Sequence, residues 1–256
     1  MRTFCAWAAV LLALTGCHTA EPDLTEYASG PAEVPLEILG EMDEATREAL
    51  IGEPKYVALT FDDGPRSSTT TALLDGLSRR GVRATFFVIG ENVAGNENLL
   101  IRMEREGHQI GLHTFHHKSL ALVGGADFCA EVDQLRDTLR GLLDQESFML
   151  RPPYGMITPA NRARAGSPII LWSVDPEDWS DQDTARQVSV ILETVQDGGI
   201  ILLHDIYPSS VDTALQVVDE LLAQGYKFVT VEELFAVRGV TPENGKEYRK
   251  LPPSSE

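Results

Sequence analysis

Short apolar runs alternate with amphipathic segments along the chain from Lys55 onward. Apolar runs of strand length predict strands at 56–61, 84–89, 108–112, 148–150, 168–172, 199–203 and 227–230. Segments with apolar positions at helical spacing lie between them and are clearest at 69–80, 98–106, 127–143, 185–196 and 211–223. Glycines stand where several of these helices should stop, at Gly81, Gly107, Gly198 and Gly225. The pattern therefore predicts an α/β domain.

Alternation of strands and helices predicts a parallel sheet, because each helix carries the chain back to the same end of the sheet. The unusual polar residues fall at the ends of the first, third, fourth, fifth and sixth strands. A closed or nearly closed barrel would gather these strand ends on one face. An open doubly wound sheet is the alternative, but it would spread the same residues too widely.

The N-terminal segment is typical of an export signal. Arg2 gives it a positive start, and residues 4–14 form an apolar run too short to remain as a membrane-spanning helix. The run closes with LTGC at residues 14–17, which resembles the bacterial lipoprotein signal, in which the cysteine is lipidated and the chain is cut before it. An ordinary cleaved signal is the alternative. We expect lipidation of Cys17, which would make the protein an exported, membrane-anchored lipoprotein on the periplasmic face or the cell surface.

The chain after residue 16 divides into three predicted parts. Residues 17–54 are rich in proline and acidic residues and carry one predicted helix, so we expect a tether with a short helix. Residues 55–237 hold the alternating pattern and form the predicted folded domain. Residues 238–256 lack periodicity and are expected to form a loose C-terminal tail.

The chain is strongly acidic, with a formal net charge of −18 at pH 7. Its lysine and arginine residues are scattered, which argues against nucleic acid as a partner. An acidic surface repels anionic polymers at low salt, so the charge favours a neutral substrate such as a sugar chain.

Cys129 is the single cysteine of the predicted domain, so no intramolecular disulfide is expected there. Its neighbours Phe128, Val132 and Leu135 stand at helical spacing. We therefore expect Cys129 to be a small buried apolar residue and not a reactive thiol.

Two adjacent carboxylates follow the first predicted strand, in the sequence TFDDGP at residues 60–65. Neighbouring residues of an extended chain point in different directions. Asp62 and Asp63 can therefore take different roles, one handling a proton and the other binding a metal.

Two histidines in the same half of the chain, His113 and His117, are four residues apart. On a helical turn this spacing puts both imidazoles on one face, which suits a single ion, whereas His116 should point away. With Asp63 they would supply two nitrogens and one oxygen and leave positions open for water and substrate. A solvent-facing histidine cluster without metal is equally compatible with the spacing alone.

Arg151 opens a rigid, proline-containing turn, RPPYG at residues 151–155. Its permanent charge could hold Asp62 ionised and oriented, although a purely structural turn is the alternative. The later sequence DPEDW places Asp178 beside Trp179, an aromatic surface suited to a sugar ring. Burial of Trp179 in the core is the alternative there.

His204 and Leu202 are two residues apart on a predicted strand and so face the same side. His204 would stand over the site, with Leu202 as a small apolar wall. A hydrogen-bonded carboxylate raises the pKa of a histidine, so Asp178 beside His204 would make a general acid. A lone histidine at a strand end is more often structural.

These blocks together resemble the polysaccharide deacetylase family, carbohydrate esterase family 4, which includes peptidoglycan and chitin deacetylases. They lie in family order at 60–65, 113–117, 151–154, 175–179 and 202–204, and the resemblance covers about residues 55–236. No position within these motifs departs from the family pattern. The resemblance implies a distorted (β/α)7 barrel that forms a single catalytic domain at 55–237.

The resemblance also implies a metal centre and a proton-transfer pair. Asp63, His113 and His117 would hold a divalent metal, zinc first, with cobalt, nickel or manganese as alternatives. Asp62 would be the base, and His204 would be the acid.

The remaining motif residues would support this chemistry. Arg151 would orient the base, and Asp178 would tune the acid. The backbone N–H of Tyr154 would stabilise the oxyanion, and Tyr154, Trp179 and Leu202 would line the acetyl pocket.

The predicted activity is removal of N-acetyl groups from N-acetylglucosamine-type residues of an envelope or extracellular polysaccharide. Peptidoglycan is the first substrate candidate, because a tethered enzyme works on what it can reach, and chitin-like oligomers are the second. An O-acetyl esterase of the xylan type, an iron oxygenase with the same ligand set and a noncatalytic glycan-binding lipoprotein are the alternatives. The sequence predicts no oligomeric state.

Overall fold

The structure is a computed structural model that describes residues 54–252. The predicted signal peptide, Cys17 and the tether up to residue 53 lie outside the described residues, as do residues 253–256. Within residues 54–252, no helix is both long enough and apolar enough to span a bilayer.

The described chain contains strands and helices in alternation. The strands are β1 (Lys55–Asp62), β2 (Thr85–Val88), β3 (Gln109–Leu112), β4 (Ile169–Ile170), β5 (Gly199–His204), β6 (Tyr226–Val229) and β7 (Glu247–Tyr248). The α-helices are α1 (Ser67–Arg79), α2 (Glu97–Arg105), α3 (Gly125–Arg140), α4 (Pro159–Arg164), α5 (Thr184–Thr194), α6 (Pro208–Ala223) and α7 (Val231–Val237). Short 3₁₀ turns lie at Gly90–Asn92 and Pro153–Gly155.

Strand β1 is central to the main sheet, and its residues 57–62 are all buried. The sheet order is β3-β2-β1-β5, with β6 also paired to β1, and each pairing is parallel. A parallel strand covered on both faces needs a nearly continuous apolar run, which explains why this strand is so clear in the sequence.

Single bridges take the place of the strands that would complete a regular barrel. Leu112 bridges to Leu150, Leu150 to Ile169, and Val174 to Ile201, all in parallel orientation. These bridges lead from β3 through β4 back to β5. The predicted parallel α/β fold in one domain is confirmed, in a strongly distorted form.

Two predicted strands are much shorter than the sequence suggests. The segment 148–150 contributes the bridge at Leu150, and 168–172 contributes Ile169–Ile170. Pro152 and Pro153 follow soon after Leu150 and have no N–H to donate to a neighbouring strand, so pairing cannot extend there. The five predicted helices begin and end within three residues of their predicted limits, whereas the short α4 and α7 are absent from the prediction.

The expectation of a loose tail is wrong for its described part. Strand β7 pairs with β4, and both Tyr248 and Leu251 are buried. The Leu251 N–H donates to the Gly198 carbonyl at 2.9 Å. A side chain at Gly198 would collide with the Leu251 carbonyl oxygen, 1.8 Å from an ideal Cβ position. A two-residue strand has too little periodicity to be predicted.

The expectation for Cys129 is also wrong, because its side chain is exposed. Helix α3 buries Phe128, Val132, Leu135 and Leu139, which form one stripe at spacings of three and four. Cys129 is one position, about 100° of rotation, away from Phe128 and so falls outside that stripe.

Candidate metal centre and active site

The residues predicted to do chemistry meet at the carboxyl ends of the strands. Asp62 ends β1 and His204 ends β5, and the two are paired in register across the parallel ladder. His113 directly follows β3. Because parallel strands end at the same edge, the fold brings these three side chains to one rim.

Asp63, His113 and His117 form the cluster of potential metal ligands within residues 54–252. Asp63 Oδ1 lies 3.4 Å from His113 Nε2 and 3.3 Å from His117 Nε2. Two atoms bound tetrahedrally to one zinc ion at about 2.0–2.2 Å lie about 3.3–3.6 Å apart. The observed spacing therefore fits a common ion.

Asp63 Oδ1 is buried and has no hydrogen-bond partner among the described residues. Such an oxygen costs free energy unless a donor or a cation satisfies it. His113 Nδ1 lies 2.8 Å from the Arg151 carbonyl oxygen, which can only accept, so Nδ1 carries the hydrogen. In the neutral imidazole, Nε2 then presents a lone pair towards Asp63. The donor set fits a divalent metal.

The two histidines converge through a loop and not through the helical turn that their spacing suggests. Residues 113–119 are neither helix nor strand, and Thr114 and His117 have left-handed φ angles of 66° and 55°. Asp63 is also left-handed, with φ 73°, and its carbonyl accepts a hydrogen bond from Asn92 Nδ2 at 2.8 Å. Such backbone strain concentrates at functional sites that the surrounding structure holds in place.

The pKa values in this cluster reflect burial and proximity. Burial acts to raise the pKa of Asp63, but the neighbouring imidazoles, His113 first, lower it to about 2. The pKa of His117 is lowered by burial and by His113. Burial acts to lower the pKa of His113, but the carboxylates of Asp62 and Asp63 raise it overall. Metal binding needs deprotonated ligands, so a proton on His113 would compete with the metal.

Asp62 is held by a fully buried arginine. Arg151 Nη1 donates to Asp62 Oδ1 at 2.7 Å and to Thr60 Oγ1 at 2.8 Å. Its remaining nitrogens donate to the carbonyls of Ile170 and Leu171, each at 3.1 Å. The other carboxylate oxygen, Asp62 Oδ2, lies 3.7 Å from His113 Nε2 and so faces the metal cluster. The structure brings Arg151 and Asp62 together as the sequence predicts.

His204 is held by the buried carboxylate of Asp178. The Nδ1 atom of His204 lies 2.8 Å from Asp178 Oδ1, and the His204 backbone N–H donates to Asp178 Oδ2 at 2.8 Å. Burial acts to lower the pKa of His204, but the hydrogen bond and the charge of Asp178 raise it to about 9. The ring is therefore protonated at neutral pH, as an acid requires.

The predicted substrate-lining residues differ in their exposure. Tyr154 is 63% exposed, has φ 61°, and places its ring 5.0 Å from the His117 ring, measured between centroids. Trp179 is 58% exposed and is therefore not a core residue. Leu202 is buried on β5 opposite Thr60. Their roles in binding stay predictions.

Comparison with known proteins places the chain in a family. The family model described as polysaccharide deacetylase matches residues 51–167. A peptidoglycan-N-acetylglucosamine deacetylase of Bacillus cereus is 36% identical over 197 residues, which are 70% of this chain and 88% of that protein. The chain belongs to the polysaccharide deacetylase family.

The chain is also similar to longer relatives. The peptidoglycan-N-acetylglucosamine deacetylase of Listeria monocytogenes is 39% identical over 197 residues, which are 76% of this chain. The match spans only 41% of that relative's length. A solved family 4 acetyl xylan esterase of Clostridium thermocellum, described in complex with a cobalt ion, has a TM-score of 0.74 at 28% identity and covers 77% of this chain and all of that one.

Further polar residues support this candidate site, although no sequence motif singles them out. Thr60 Oγ1 donates to the Ile201 carbonyl at 2.6 Å, and Ser210 Oγ donates to Asp178. Asp205 is buried, accepts from Thr70 Oγ1, and has its pKa raised by burial to about 7. Isolated Thr and Ser carry no sequence signal of function, whereas the position of Asp205 beside a motif histidine is a signal that could have been used.

Proposed function

We propose that this protein is a divalent-metal-dependent hydrolase that removes N-acetyl groups from N-acetylglucosamine-type residues of a polysaccharide. One observation carries the proposal. The metal-ligand cluster of Asp63, His113 and His117 lies at the same strand ends as Asp62 and His204, two proton-transfer groups that are each held by a partner of their own. Peptidoglycan is the first substrate candidate, since two relatives bear that name, and chitin-like oligomers are the second.

Zinc is the proposed metal. Two imidazole nitrogens and one carboxylate oxygen are typical of catalytic zinc sites that keep a position open for water. Cobalt, nickel and manganese remain alternatives for the same donor set. When bound, such an ion supplies Lewis acidity for the acetamide carbonyl and lowers the pKa of water at the site.

Asp62 is the proposed base. Its Oδ1 is taken by Arg151, whereas Oδ2 faces the metal cluster and is placed to accept a proton from the attacking water. Arg151 keeps the carboxylate in that orientation and supplies a compensating charge in a buried place. The family resemblance supports the same assignment.

His204 is the proposed acid. Its ring stands at the strand end beside Asp62, and Asp178 keeps it protonated. It would give its proton to the departing amine nitrogen as the C–N bond breaks. The backbone N–H of Tyr154 is proposed to stabilise the oxyanion, and Leu202 and Trp179 to line the acetyl pocket.

An O-acetyl esterase is the second candidate. The structural similarity to an acetyl xylan esterase favours it specifically, because the same fold there carries the name of an ester hydrolase. The same base and acid would serve an alcohol leaving group, which departs more easily than an amine. The two candidates therefore differ in substrate and not in machinery.

A substrate panel tests the proposal. Metal-stripped full-length protein is given zinc, cobalt, nickel or manganese and is then incubated with N-acetylglucosamine oligomers, peptidoglycan or acetylated xylan while released acetate is measured. We expect metal-dependent acetate release that is fastest on the N-acetylated glycans. Preference for acetylated xylan would establish the esterase, and glycan binding without acetate release from any substrate would leave only a binding protein. The variant Asp219→Asn, in an exposed ion pair with Arg80, is the control.

We further propose that Cys17 is lipidated and anchors the protein to a membrane at the periplasmic face or the cell surface. The LTGC sequence at the end of the N-terminal apolar run supports this proposal. Fractionation of cells that express the wild type or Cys17→Ser tests it. We expect the wild type in the membrane fraction with a lipid on Cys17, and recovery of the wild type in the soluble fraction or without attached lipid would overturn the proposal.

A further inference from the structure

A buried carboxylate outside the described centre contacts the loop that carries both histidine ligands. Glu131 lies on α3, and its side chain is 0% exposed. Such burial is rare for glutamate unless its oxygens are paired. The sequence gives no hint of this role, because Glu131 looks like an ordinary helix-surface charge.

Glu131 binds three donors from one short segment. Its Oε2 accepts from the His116 backbone N–H at 2.8 Å. Its Oε1 lies 3.0 Å from His116 Nδ1 and 3.0 Å from Lys118 Nζ. The contacted residues stand immediately before and after His117 in the chain.

The position of His117 depends on this segment. Two non-glycine residues there, Thr114 and His117, have left-handed φ angles, a conformation that costs about 1–3 kcal/mol per residue unless the surroundings hold it. No helix or strand ladder holds residues 113–119. Hydrogen bonds to an ionised carboxylate are about twice as strong as neutral ones, so Glu131 can offset that cost.

We propose that Glu131 is a positioning residue that sets the loop conformation of His116 to Lys118 and thereby tunes the affinity of His117 and its partners for a divalent metal. This inference rests on the proposed metal site. The inference also gives His116 a role. Its ring contacts Glu131, so that only His113 and His117 of this motif face the metal cluster. Residues that orient metal ligands typically change metal affinity about 10- to 100-fold when removed.

Zinc titration of the metal-stripped full chain tests the inference. Glu131→Gln keeps the shape of the side chain but removes its charge, and we expect its zinc Kd to rise about 10- to 100-fold. Asp137→Asn is the matched control, because Asp137 lies on the same helix and is 77% exposed. We expect its zinc Kd to equal that of the wild type.

A second variant keeps the test valid if Glu131→Gln fails to fold. Lys118→Met removes one donor at a side chain that is 55% exposed, and we expect a smaller rise in the zinc Kd with unchanged circular dichroism. Wild-type affinity in folded Glu131→Gln, or in Lys118→Met where the first variant does not fold, would overturn the role of Glu131. Failure of the wild type itself to bind any divalent metal would overturn the proposed metal site instead.

Discussion

Arg151 and Asp62 form a buried ion pair on which the proposed base depends. Arg151 is fully buried, its guanidinium stacks 4.2 Å from the centroid of the Phe87 ring, and burial lowers its pKa. Removing one partner of such a pair leaves an uncompensated buried charge. Chemistry and stability are therefore coupled at this residue.

Asp62→Asn should lose both activity and stability. Loss of a positioned base typically lowers the rate about 10²- to 10⁴-fold, and the uncompensated charge of Arg151 should cost about 3–5 kcal/mol in the free energy of unfolding. Acetate release and denaturant unfolding measure the two effects. The control Asp219→Asn breaks an exposed pair and should cost less than about 1 kcal/mol. Equal unfolding midpoints for the two variants would contradict the coupling.

Asp178→Asn should move the alkaline limit of activity. In the wild type, burial acts to lower the pKa of His204, but Asp178 first and then Asp62 and Asp63 raise it to about 9, so the acid form persists at neutral pH and is lost as the pH rises through about 9. The amide keeps a hydrogen-bond acceptor but removes the charge, so the pKa of His204 should fall towards its ordinary value of about 6.5. A pH profile of kcat measures the shift, and an unmoved alkaline limb would refute the assignment of His204 as the acid.

At the scale of single residues, the sequence predicts which side chains meet but not how. The four-residue separation of His113 and His117 predicts that a helical turn brings them together. In the structure a loop with left-handed residues brings them together instead. The spacing of two residues limits how far apart they can lie, but it does not determine the backbone φ angles. The left-handed φ angles of Thr114 and Asp63 could therefore not be predicted from it. The assigned roles themselves stay predictions until they are tested.

The loop between β1 and α1 follows Asp62, carries Asp63 and packs tightly against the loop after β5. An ideal Cβ at Gly64 would lie 2.3 Å from Asp205 Oδ1. Arg66 Nη1 donates to the Ile206 carbonyl at 3.0 Å, and Thr70 joins Arg66 N–H to Asp205. The loop that bears Asp63 is thus fixed to the loop that follows His204.

Gly64→Ala should therefore disturb the site through packing alone. The added methyl group must displace a buried carboxylate, and overpacking of this kind typically costs about 1–3 kcal/mol. Gly124→Ala is the control, because nothing lies within 4 Å of its Cβ position. Unfolding midpoints and zinc affinity measure the effect, and matching values for the two variants would show that the loops are not fixed to each other.

At the scale of elements, long apolar or amphipathic runs are predicted well and short paired segments are not. Strand β1 and helix α6 can be predicted because each extends a continuous apolar run or an amphipathic pattern over many residues. Strand β7 has two residues, and its pairing is decided by β4, which is distant in sequence. Local pattern carries no information about such a partner.

The whole molecule should be stabilised by metal, because only the folded chain brings Asp63, His113 and His117 together. A ligand at 100 times its Kd adds about 2.7 kcal/mol to the free energy of unfolding. For a domain of this size each kcal/mol raises the Tm by about 2–4 °C. Thermal unfolding of stripped protein with and without zinc measures the shift. His117→Ala should abolish it, and an equal shift in that variant would place the ion elsewhere.

The fold class and the family were predictable at this scale, whereas substrate choice was not. Five motif blocks in order identify the machinery. Leu122, Met156 and Trp179 are large apolar side chains that the structure leaves exposed. Their positions depend on loops without a repeating pattern.

The C-terminal segment also bears on where the chain can be shortened. Residues 247–251 supply the neighbour of β4, close the space at Gly198 and bring the Tyr248 ring to 4.7 Å from that of Phe235, measured between centroids. A fragment ended at residue 237 would expose the apolar underside of the sheet and an unpaired strand edge, features that promote aggregation. Recombinant fragments that stop there should collect in inclusion bodies, whereas those ending after Leu251 should remain in the supernatant.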